Sequence, residues 1–320
     1  MENEPLSHVD DDLFEILYAE IKNQLTREKQ PVEQPFMVVL GGQPGAGKGN
    51  VYKKYASEIT DNFVAVNCDD FRQYHPNFKA LFQKYGDDDS DYTQDFVNKI
   101  NIRLVDELSK SGYNMIMEST LRSPYVALAV NDQLRPLGYK VELCVVGTNR
   151  DVSLQGTISR KAEMIVKGEQ PRGVTPSYHE SVCDSIVESL SKVYSSNAMD
   201  DIFIYTREGT CLYDSEQTPE LDPSPILEAR INLPEKEAKV KIDAYVSDYK
   251  KSISTSSEQA PVQFRYKEIS MQEFVACHAE LKQLCSCKKS EDGIIMKYDA
   301  GNEQKINNIL SNVSVKNMKK

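Results

Sequence analysis

Apolar and polar positions along the chain follow two patterns, an amphipathic helical spacing and short continuous apolar runs. Residues 11–26 carry apolar side chains at helical spacing behind an acidic first turn, which predicts an amphipathic helix. Two prolines then break the chain, and residues 36–40 form a continuous apolar run typical of a strand buried on both faces of a parallel sheet. This alternation continues to residue 205 and predicts an α/β fold with a largely parallel sheet flanked by helices. The further predicted strands are 63–66, 113–117, 139–146 and 201–205, and the further predicted helices are 51–59, 95–111, 151–166 and 176–194.

The composition changes after Asp214. Residues 215–225 are rich in proline and acidic residues and predict a linker. We predict two helices beyond it, over 226–252 and 270–287, separated by a serine-rich stretch. The chain is therefore divided into a core of residues 1–215 and a linker with a helical C-terminal extension, residues 216–320.

Composition and charge narrow the class of protein. The 320 residues contain 38 Lys+Arg against 49 Asp+Glu, a formal charge of −11. An acidic chain is a poor general nucleic-acid binder, because neutralising phosphates requires clustered Lys and Arg. No apolar stretch approaches the length of about 20 residues that spans a bilayer, and the acidic N-terminus lacks the pattern of a signal peptide. We expect a cytoplasmic protein without a nucleic-acid or membrane partner.

The seven cysteines support a reducing compartment. Their number is odd, and four of them lie in apolar or helical surroundings where free thiols are common. Cys285 and Cys287 are one residue apart, which is not the C-x-x-C spacing of a zinc or redox motif. His278 lies near them, yet no further ligand completes a tetrahedral set, so we predict no metal site.

A glycine-rich loop follows the first predicted strand. The segment from Gly42 to Lys48 matches G-x-x-x-x-G-K between a strand and a helix, the context that a phosphate-binding loop requires. Backbone N–H groups of such a loop form an anion-binding nest, and the lysine adds a cation for the β- and γ-phosphates. The residue after the lysine is Gly49, where the motif requires Ser or Thr to ligate Mg²⁺. We assign ATP binding to Gly42, Gln43, Pro44, Gly45, Ala46, Gly47, Lys48, Gly49 and Asn50.

Acidic residues follow two other predicted strands, Asp69 and Asp70 after the second and Glu118 at the end of the third. Ligands of parallel sheets bind at the carboxyl ends of the strands. A carboxylate there can accept the proton of an attacking hydroxyl group or hold Mg²⁺ through water. Arg160 in a helix and Arg172 in a loop are candidates to stabilise the charge of phosphoryl transfer, with the loop residue favoured as the mobile one.

These residues resemble the zeta toxin family, the kinase partners of epsilon/zeta toxin–antitoxin pairs, over about residues 10–215. The segment Asp69–Phe78, with the pattern D-x-F-x-x-x-H-P-x-F, is the most specific match, because ordinary P-loop enzymes lack it. The other matching segments are Gly41–Lys48, Gly112–Arg122, Gly156–Arg160 and Arg207–Tyr213.

The resemblance implies a kinase that transfers the γ-phosphate of ATP, with Mg²⁺, to the 3′-hydroxyl of the amino sugar in UDP-N-acetylglucosamine. The trapped product would block cell-wall precursor synthesis, and a small helical antitoxin would neutralise the toxin. The implied catalytic residues are the base Asp69, the P-loop Lys48, and Arg160 and Arg172 on the phosphate side. The implied substrate-binding residues are Asn98, Glu118, Thr120 and the adjacent Arg122.

Two departures from the family pattern keep alternatives open. The first is Gly49, which removes the expected metal-ligating hydroxyl. The second is Ile102, which stands where a substrate-binding glutamate would fall, so related UDP-sugars stay plausible acceptors. The alternatives are a P-loop kinase for another small hydroxyl acceptor, such as a nucleotide or dinucleotide, and a nucleotide-binding protein with little catalysis.

Overall fold

The computed structural model describes residues 5–58, 60–171, 173–256, 264–281, 284–289 and 293–317. The strands are β1 (Phe36–Gly41), β2 (Val64–Val66), β3 (Met115–Glu118), β4 (Lys140–Val146), β5 (Asp201–Tyr205), β6 (Cys211–Asp214), β7 (Phe264–Ile269), β8 (Cys285–Lys289) and β9 (Ile294–Asp299). The helices are α1 (Asp11–Thr26), α2 (Gly49–Glu58), α3 (Cys68–Phe71), α4 (Phe78–Tyr85), α5 (Asp89–Lys110), α6 (Tyr125–Leu134), α7 (Arg150–Val166), α8 (Pro176–Ser196), α9 (Ser224–Asn232), α10 (Glu235–Ser256), α11 (Met271–Leu281) and α12 (Glu303–Asn317).

The main sheet has six strands in the order β2-β3-β1-β4-β5-β6. All neighbours are parallel except β6, which runs antiparallel to β5. Leu40 is in register with Glu118, so the end of β3 lies level with the start of the glycine-rich loop. The α/β fold with a largely parallel central sheet flanked by helices is therefore confirmed.

Apolar packing on both faces explains why the sequences of the central strands are continuous apolar runs. On one face, Met37 and Val39 join a large core with residues of α1, α5, α6, α8, α9 and α10. On the other face, Val38 and Leu40 pack with residues of α2. Burying both faces of a strand removes the alternation of polar and apolar positions that a one-sided sheet would show.

The structure adds elements to the core that the hydrophobic pattern did not predict. The helix predicted over 95–111 begins earlier, at Asp89. The unpredicted helices α3, α4 and α6 have 4, 8 and 10 residues. Elements this short span too few turns for periodicity to identify them. The unpredicted strand β6 has 4 residues.

The prediction of a purely helical C-terminal region was wrong. The helix predicted over 226–252 is two helices, since Pro234 follows the end of α9 and cannot continue it. The helix predicted over 270–287 ends at Leu281, and Cys285–Lys289 is a strand. It pairs with β9 in an antiparallel sheet of order β7-β9-β8. The hydrophobic pattern of these five residues does not distinguish a strand from a helix, and the pairing with β9 decides between them.

The C-terminal strands and helices have a hydrophobic core of their own, formed by residues of β7, β9, α11 and α12. In contrast, α9 and α10 contribute to the main core through Ile226, Leu227, Ala238 and Ile242. We call residues 264–317 the C-terminal unit. None of the helices in the described ranges is both long enough and apolar enough to span a membrane.

Candidate active site

The glycine-rich loop has the backbone conformation of an anion-binding nest. Gly45 and Gly47 have φ values of 74° and 95°, which favour glycine. Space imposes a second requirement, because a Cβ atom on Gly45 would lie 2.0 Å from the carbonyl oxygen of Ser153 in α7. The loop is therefore held tightly between the end of β1 and α7, and α2 begins directly after Lys48.

Lys48 is the last residue of this loop and is mostly buried, with its side chain 13% exposed. Its Nζ donates a hydrogen bond of 2.9 Å to the carbonyl oxygen of Gly42 and lies 4.0 Å from Glu118 Oε2. Burial lowers the pKa of Lys48, while the carboxylates of Glu118 and Asp69 oppose this shift. A phosphate group would restore the stability of the ammonium form, so the site favours an anionic ligand beside Lys48.

Glu118 lies at the end of β3, facing Lys48. Burial raises the pKa of Glu118, and the charges of Asp70 and Asp69 add to the rise, while Lys48 opposes it. The nearby Tyr52 hydroxyl is buried and has no hydrogen-bond partner among the described residues. Burial first, and then the charges of Glu118 and Asp70, raise the pKa of Tyr52. Tyr52 can thus donate a hydrogen bond to a bound ligand or to Glu118.

Asp69 occupies the first turn of α3, three positions after the end of β2. The Asn67 side chain caps this helix by accepting a hydrogen bond of 3.1 Å from the Asp69 backbone N–H. The Asp69 side chain is 54% exposed, and its Oδ1 accepts a hydrogen bond of 3.1 Å from Arg72 Nε. The carboxylate is open to solvent on one side and fixed on the other.

Arg72 anchors Asp69 to α5, and the sequence analysis missed this role. Its side chain is almost entirely buried. Besides the bond to Asp69, its guanidinium donates to the carbonyl oxygen of Ser90 at 2.9 Å, Thr93 Oγ1 at 2.6 Å and Gln94 Oε1 at 2.8 Å. The available signal was an arginine inside the D-x-F-x-x-x-H-P segment.

Arg207 braces the glycine-rich loop from the turn between β5 and β6. Its Nη1 donates a hydrogen bond of 2.8 Å to the carbonyl oxygen of Gly45, and its backbone oxygen accepts one of 2.8 Å from Asn50 Nδ2. A Cβ atom on Gly156 would lie 3.0 Å from Arg207 Nη1. The segments Gly156–Arg160 and Arg207–Tyr213 therefore meet at the phosphate-binding loop, a contact that their separation in sequence conceals.

A buried polar network supports the loop from beneath. The Gln43 amide donates to the Thr148 carbonyl oxygen. Thr148 Oγ1 donates a hydrogen bond of 2.8 Å to the carbonyl oxygen of Ala46. Ser153 Oγ lies 2.8 Å from His179 Nε2, which links α7 to α8. Burial lowers the pKa of His179, which favours its neutral form.

A cavity of about 460 Å³ opens beside the loop. Thr148 and Arg207, which both contact the loop, line its inner side, and residues 232–235 between α9 and α10 line its outer side. Asn149 ties these walls together, because its Nδ2 donates to the carbonyl oxygens of Ile231 and Leu233 at 3.4 and 3.1 Å. The volume suits a ligand group of the size of a nucleoside.

Three of the predicted acceptor-binding residues lie at or just after the end of β3, and the fourth, Asn98, lies in the middle of α5. Leu121 is fully buried with a φ of 52°, an unusual value for a residue with a side chain. Its neighbours Thr120 and Arg122 are half-buried and exposed, respectively. The Arg122 guanidinium lies over the ring of Tyr178, 5.2 Å from its centroid.

Asn98 and Ile102 lie one turn apart on α5. Asn98 is exposed, and its Oδ1 accepts a hydrogen bond of 2.8 Å from Gln94 Nε2. Gln94 in turn contacts Arg72, so Asn98 and Asp69 belong to one hydrogen-bonded chain. Ile102 is 70% exposed, an unfavourable environment for an apolar side chain unless a ligand or partner covers it.

Of the two predicted phosphate-side arginines, the structure describes Arg160. Arg160 is exposed on α7, and its charge contributes to the pKa shifts of both Lys48 and Glu118. Arg172 lies outside the described residues. Within the described ranges, no group of three or more His, Cys, Asp and Glu side chains is arranged to hold a metal ion.

His75 belongs to the most specific sequence segment, and its contacts support the fold. Its ring is buried against Phe96, with centroids 5.1 Å apart. Its Nδ1 accepts a hydrogen bond of 3.2 Å from the Asn77 backbone N–H, and Nε2 lies 3.3 Å from the carbonyl oxygen of Ser7. Asn77 Nδ2 also donates to the Leu6 carbonyl oxygen at 3.0 Å. This segment therefore fastens the N-terminal residues to the core.

A glycine-rich loop after the first strand of a parallel sheet, with a buried lysine and carboxylates at neighbouring strand ends, defines a P-loop nucleotide-binding fold of the kinase type. The chain belongs to the zeta toxin family: the family model described as "Zeta toxin" matches residues 20–218.

Individual relatives agree with this assignment. The chain is 34% identical to the toxin PezT of Streptococcus pneumoniae over 208 residues, which is 65% of this chain and 82% of that protein. It is 30% identical to the toxin zeta of Enterococcus hirae over 69% of this chain and 77% of that protein. A solved structure from the PezAT chromosomal toxin–antitoxin system of Streptococcus pneumoniae aligns with a TM-score of 0.65 and 28% identity. That alignment covers 78% of this chain and all of the other.

Proposed function

We propose that the protein is the toxin of a toxin–antitoxin system and acts as an ATP-dependent kinase on the 3′-hydroxyl of the amino sugar in UDP-N-acetylglucosamine or a related UDP-sugar. The observation that carries the proposal is the juxtaposition of the buried Lys48, Glu118 at 4.0 Å and the carboxylate of Asp69 around one phosphate-binding loop. A cation for the transferred phosphate and acids for the acceptor are both present.

ATP fits the loop and the cavity beside it. The nest of Gly42–Lys48 would hold the β- and γ-phosphates, whose negative charge would offset the burial that lowers the pKa of Lys48. The cavity between Arg207 and residues 232–235 would hold the adenine base, because it is joined to the loop through Arg207 and Thr148. This gives the helices α9 and α10 a role in nucleotide binding.

Asp69 is the proposed base. A carboxylate that is exposed on one side and anchored on the other can accept the proton of the acceptor hydroxyl group as that oxygen attacks the γ-phosphorus atom. Arg160, and Arg172 from outside the described residues, would stabilise the charge on the transferred group.

Mg²⁺ would neutralise phosphate charge when bound. The residue after Lys48 is glycine and offers no hydroxyl ligand, so phosphate oxygens and water would hold the ion, with Glu118 or Asp70 as the nearby carboxylates. The protein's own contribution to phosphoryl transfer is therefore positioning by Lys48, Asp69 and the arginines.

The acceptor would lie against Glu118, Thr120 and Arg122 around the end of β3, and against Asn98 in the middle of α5. Ile102 replaces an acceptor-binding carboxylate of the family pattern with an exposed apolar group. A site that loses a hydrogen bond to its ligand discriminates less sharply, which is the reason for including related UDP-sugars. A small helical antitoxin is the proposed protein partner, in keeping with the toxin–antitoxin system of the structural relative.

The test is transfer of labelled γ-phosphate from ATP to a panel of acceptors offered in parallel, with the Asp69→Asn variant as control. We expect a labelled UDP-amino sugar with the natural chain and none with the variant, while both bind ATP. A labelled ribonucleotide or dinucleotide would instead establish a kinase for another acceptor. ATP binding without any labelled product would establish a nucleotide-binding protein with little catalysis.

A further inference from the structure

Two cysteines of the C-terminal unit lie side by side, far in sequence from the proposed active site. Cys285 and Cys287 occupy alternate positions of β8, so their side chains point to the same face of the sheet. Their sulfur atoms are 3.6 Å apart. Among the described residues, this is the one pair of thiols at hydrogen-bonding distance from each other.

Both thiols are partly accessible, which distinguishes them from most other cysteines of the chain. Cys144, Cys183 and Cys277 are buried, whereas Cys285 and Cys287 are intermediate. Small oxidants can therefore reach this pair. β8 is also an edge strand, paired on one side with β9 only, so it can bend without breaking a second ladder.

The pair is built so that one thiol ionises with the help of the other. A hydrogen bond from Cys287 lowers the pKa of Cys285, and the same bond with burial raises the pKa of Cys287. The remaining described cysteines with a resolved shift, Cys68, Cys144, Cys183, Cys211 and Cys277, all have raised pKa values because of burial. In its neutral state the Cys285 thiol donates to the Leu281 carbonyl oxygen at 3.4 Å.

We propose that Cys285 and Cys287 form a redox-sensitive modification site, in which a hydroperoxide oxidises Cys285 and Cys287 resolves the product to an intramolecular disulfide. A low-pKa, accessible thiol beside a resolving thiol is the arrangement that redox-sensing cysteines share. This site is independent of the proposed kinase activity.

The chemistry balances in two steps. The Cys285 thiolate attacks the peroxide oxygen, which forms an S–O bond, breaks the O–O bond and yields a sulfenic acid with hydroxide or alkoxide as the leaving group. The Cys287 sulfur then attacks the Cys285 sulfur and forms the S–S bond as the S–O bond breaks, and the departing hydroxide takes the proton of the Cys287 thiol and leaves as water. The two sulfurs lose two electrons in total and the peroxide gains them. A thiol reductant reverses the change.

Oxidation would change the surroundings of Cys287, including nearby charges of the main unit. The charges of Arg135 and Asp200 act on Cys287. These two residues form an ion pair of 2.9 Å between the end of α6 and the start of β5. Drawing the two sulfurs together requires β8 to pucker.

The experiment treats the reduced full-length protein with hydrogen peroxide and follows each cysteine by differential alkylation and peptide mass spectrometry. We expect the peptide with Cys285 and Cys287 to lose two hydrogen atoms and two alkylatable thiols together, at least about tenfold faster than Cys211 is oxidised. Dithiothreitol should restore both thiols. In the Cys287→Ser variant the reaction should stop at a sulfenic acid on Cys285 that dimedone traps.

Cys211→Ser is the matched control, because Cys211 is exposed and, among the described residues, no thiol lies at hydrogen-bonding distance from it; this variant should react as the natural chain does. Oxidation of Cys285 and Cys287 at the rate of Cys211, or a disulfide that joins two chains on a non-reducing gel, would overturn the proposal. The natural chain alone decides this outcome, so a misfolded serine variant does not obscure it.

Discussion

At the scale of single residues, Gly49 is the departure that the structure makes most directly testable. A Cβ atom on this residue would meet no atom within 4 Å, so a side chain can be added without steric conflict. We predict that Gly49→Thr raises turnover and lowers the Mg²⁺ concentration needed for half-maximal activity, because it restores a hydroxyl ligand beside Lys48. Steady-state kinetics over a Mg²⁺ titration measure both quantities.

Gly49→Ala is the control for this change. It adds a Cβ atom and helix propensity at the start of α2 but no oxygen atom. If Thr and Ala change the Mg²⁺ dependence equally, the missing hydroxyl does not limit turnover and metal ligation rests elsewhere.

Arg72 gives a second prediction at the residue scale. Its guanidinium fixes Asp69 to α5 through four hydrogen bonds, and a flexible base would spend less time in line with the acceptor hydroxyl. We predict that Arg72→Lys lowers kcat roughly 10- to 100-fold while leaving the KM for ATP nearly unchanged. Thermal unfolding of the same variant checks that the fold survives. A rise in the KM for ATP at constant kcat would argue against a positioning role.

The sequence was informative about residues whose chemistry is local. The loop from Gly42 to Lys48 was predicted because its spacing and flanking elements lie within one stretch of chain. The supporting roles of Arg72 and Arg207 were missed, because their anchors Ser90 and Gly45 lie 18 and 162 positions away and only the fold brings them together. His75 had a clear sequence signal, yet its contacts are structural and involve the N-terminal residues.

At the scale of elements, His75 fastens the N-terminal segment to α4 and α5 in its neutral form. Burial lowers the pKa of His75. Below about pH 6.5 the unfolded chain binds a proton that the folded chain lacks, so stability falls as the pH falls from there towards the lowered pKa. We predict that His75→Gln makes the loss of unfolding free energy between pH 7 and pH 5 shallower. Urea unfolding at a series of pH values measures it.

His8→Gln is the matched control for that series. His8 is close to the same segment but exposed. If both variants change the pH dependence equally, burial of His75 is not its cause.

The bounds of helices and strands could be predicted from the sequence where an element is long or has a regular hydrophobic pattern. The helix over 11–26 and the strand over 201–205 have the predicted bounds, because each carries an unbroken pattern. The first three residues of the strand Cys285–Lys289 fall in the helix predicted over 270–287, since a short run of mixed polarity fits either period. Only its pairing with β9 fixes it as a strand.

At the scale of the whole molecule, the hydrophobic clusters of the described residues define two packing units. The main sheet has a cluster on each face, one of which includes α9 and α10, and a separate cluster belongs to residues 264–317. The alignment with the solved PezAT structure covers the whole of that chain but 78% of this one, so part of this chain has no counterpart there. The boundary between residues 215 and 216 stays a prediction.

We predict that a chain ending at Ser256 keeps kcat and both KM values within about twofold of the full chain, because each core is made of its own residues. Acceptor phosphorylation by the purified shortened protein measures this. Loss of activity in a shortened chain that is folded by circular dichroism would show that the C-terminal unit contributes to the site.

The net charge of −11 is compatible with a cationic binding site at one place on the molecule. A phosphate-rich ligand requires only a few cations where it binds, and Lys48, Arg160 and Arg207 are gathered at one edge of the sheet. An acidic exterior discourages polyanions such as nucleic acids, whereas a small nucleotide can reach a local cationic site.

The most direct test of the central claim is mass spectrometry of the sugar-nucleotide pool after expression of the natural chain and of Asp69→Asn. We predict that the natural chain adds one phosphate group to UDP-N-acetylglucosamine or a related UDP-sugar, and that the variant adds none at the same protein level. An unchanged pool of UDP-sugars in cells whose growth the natural chain arrests would contradict the account.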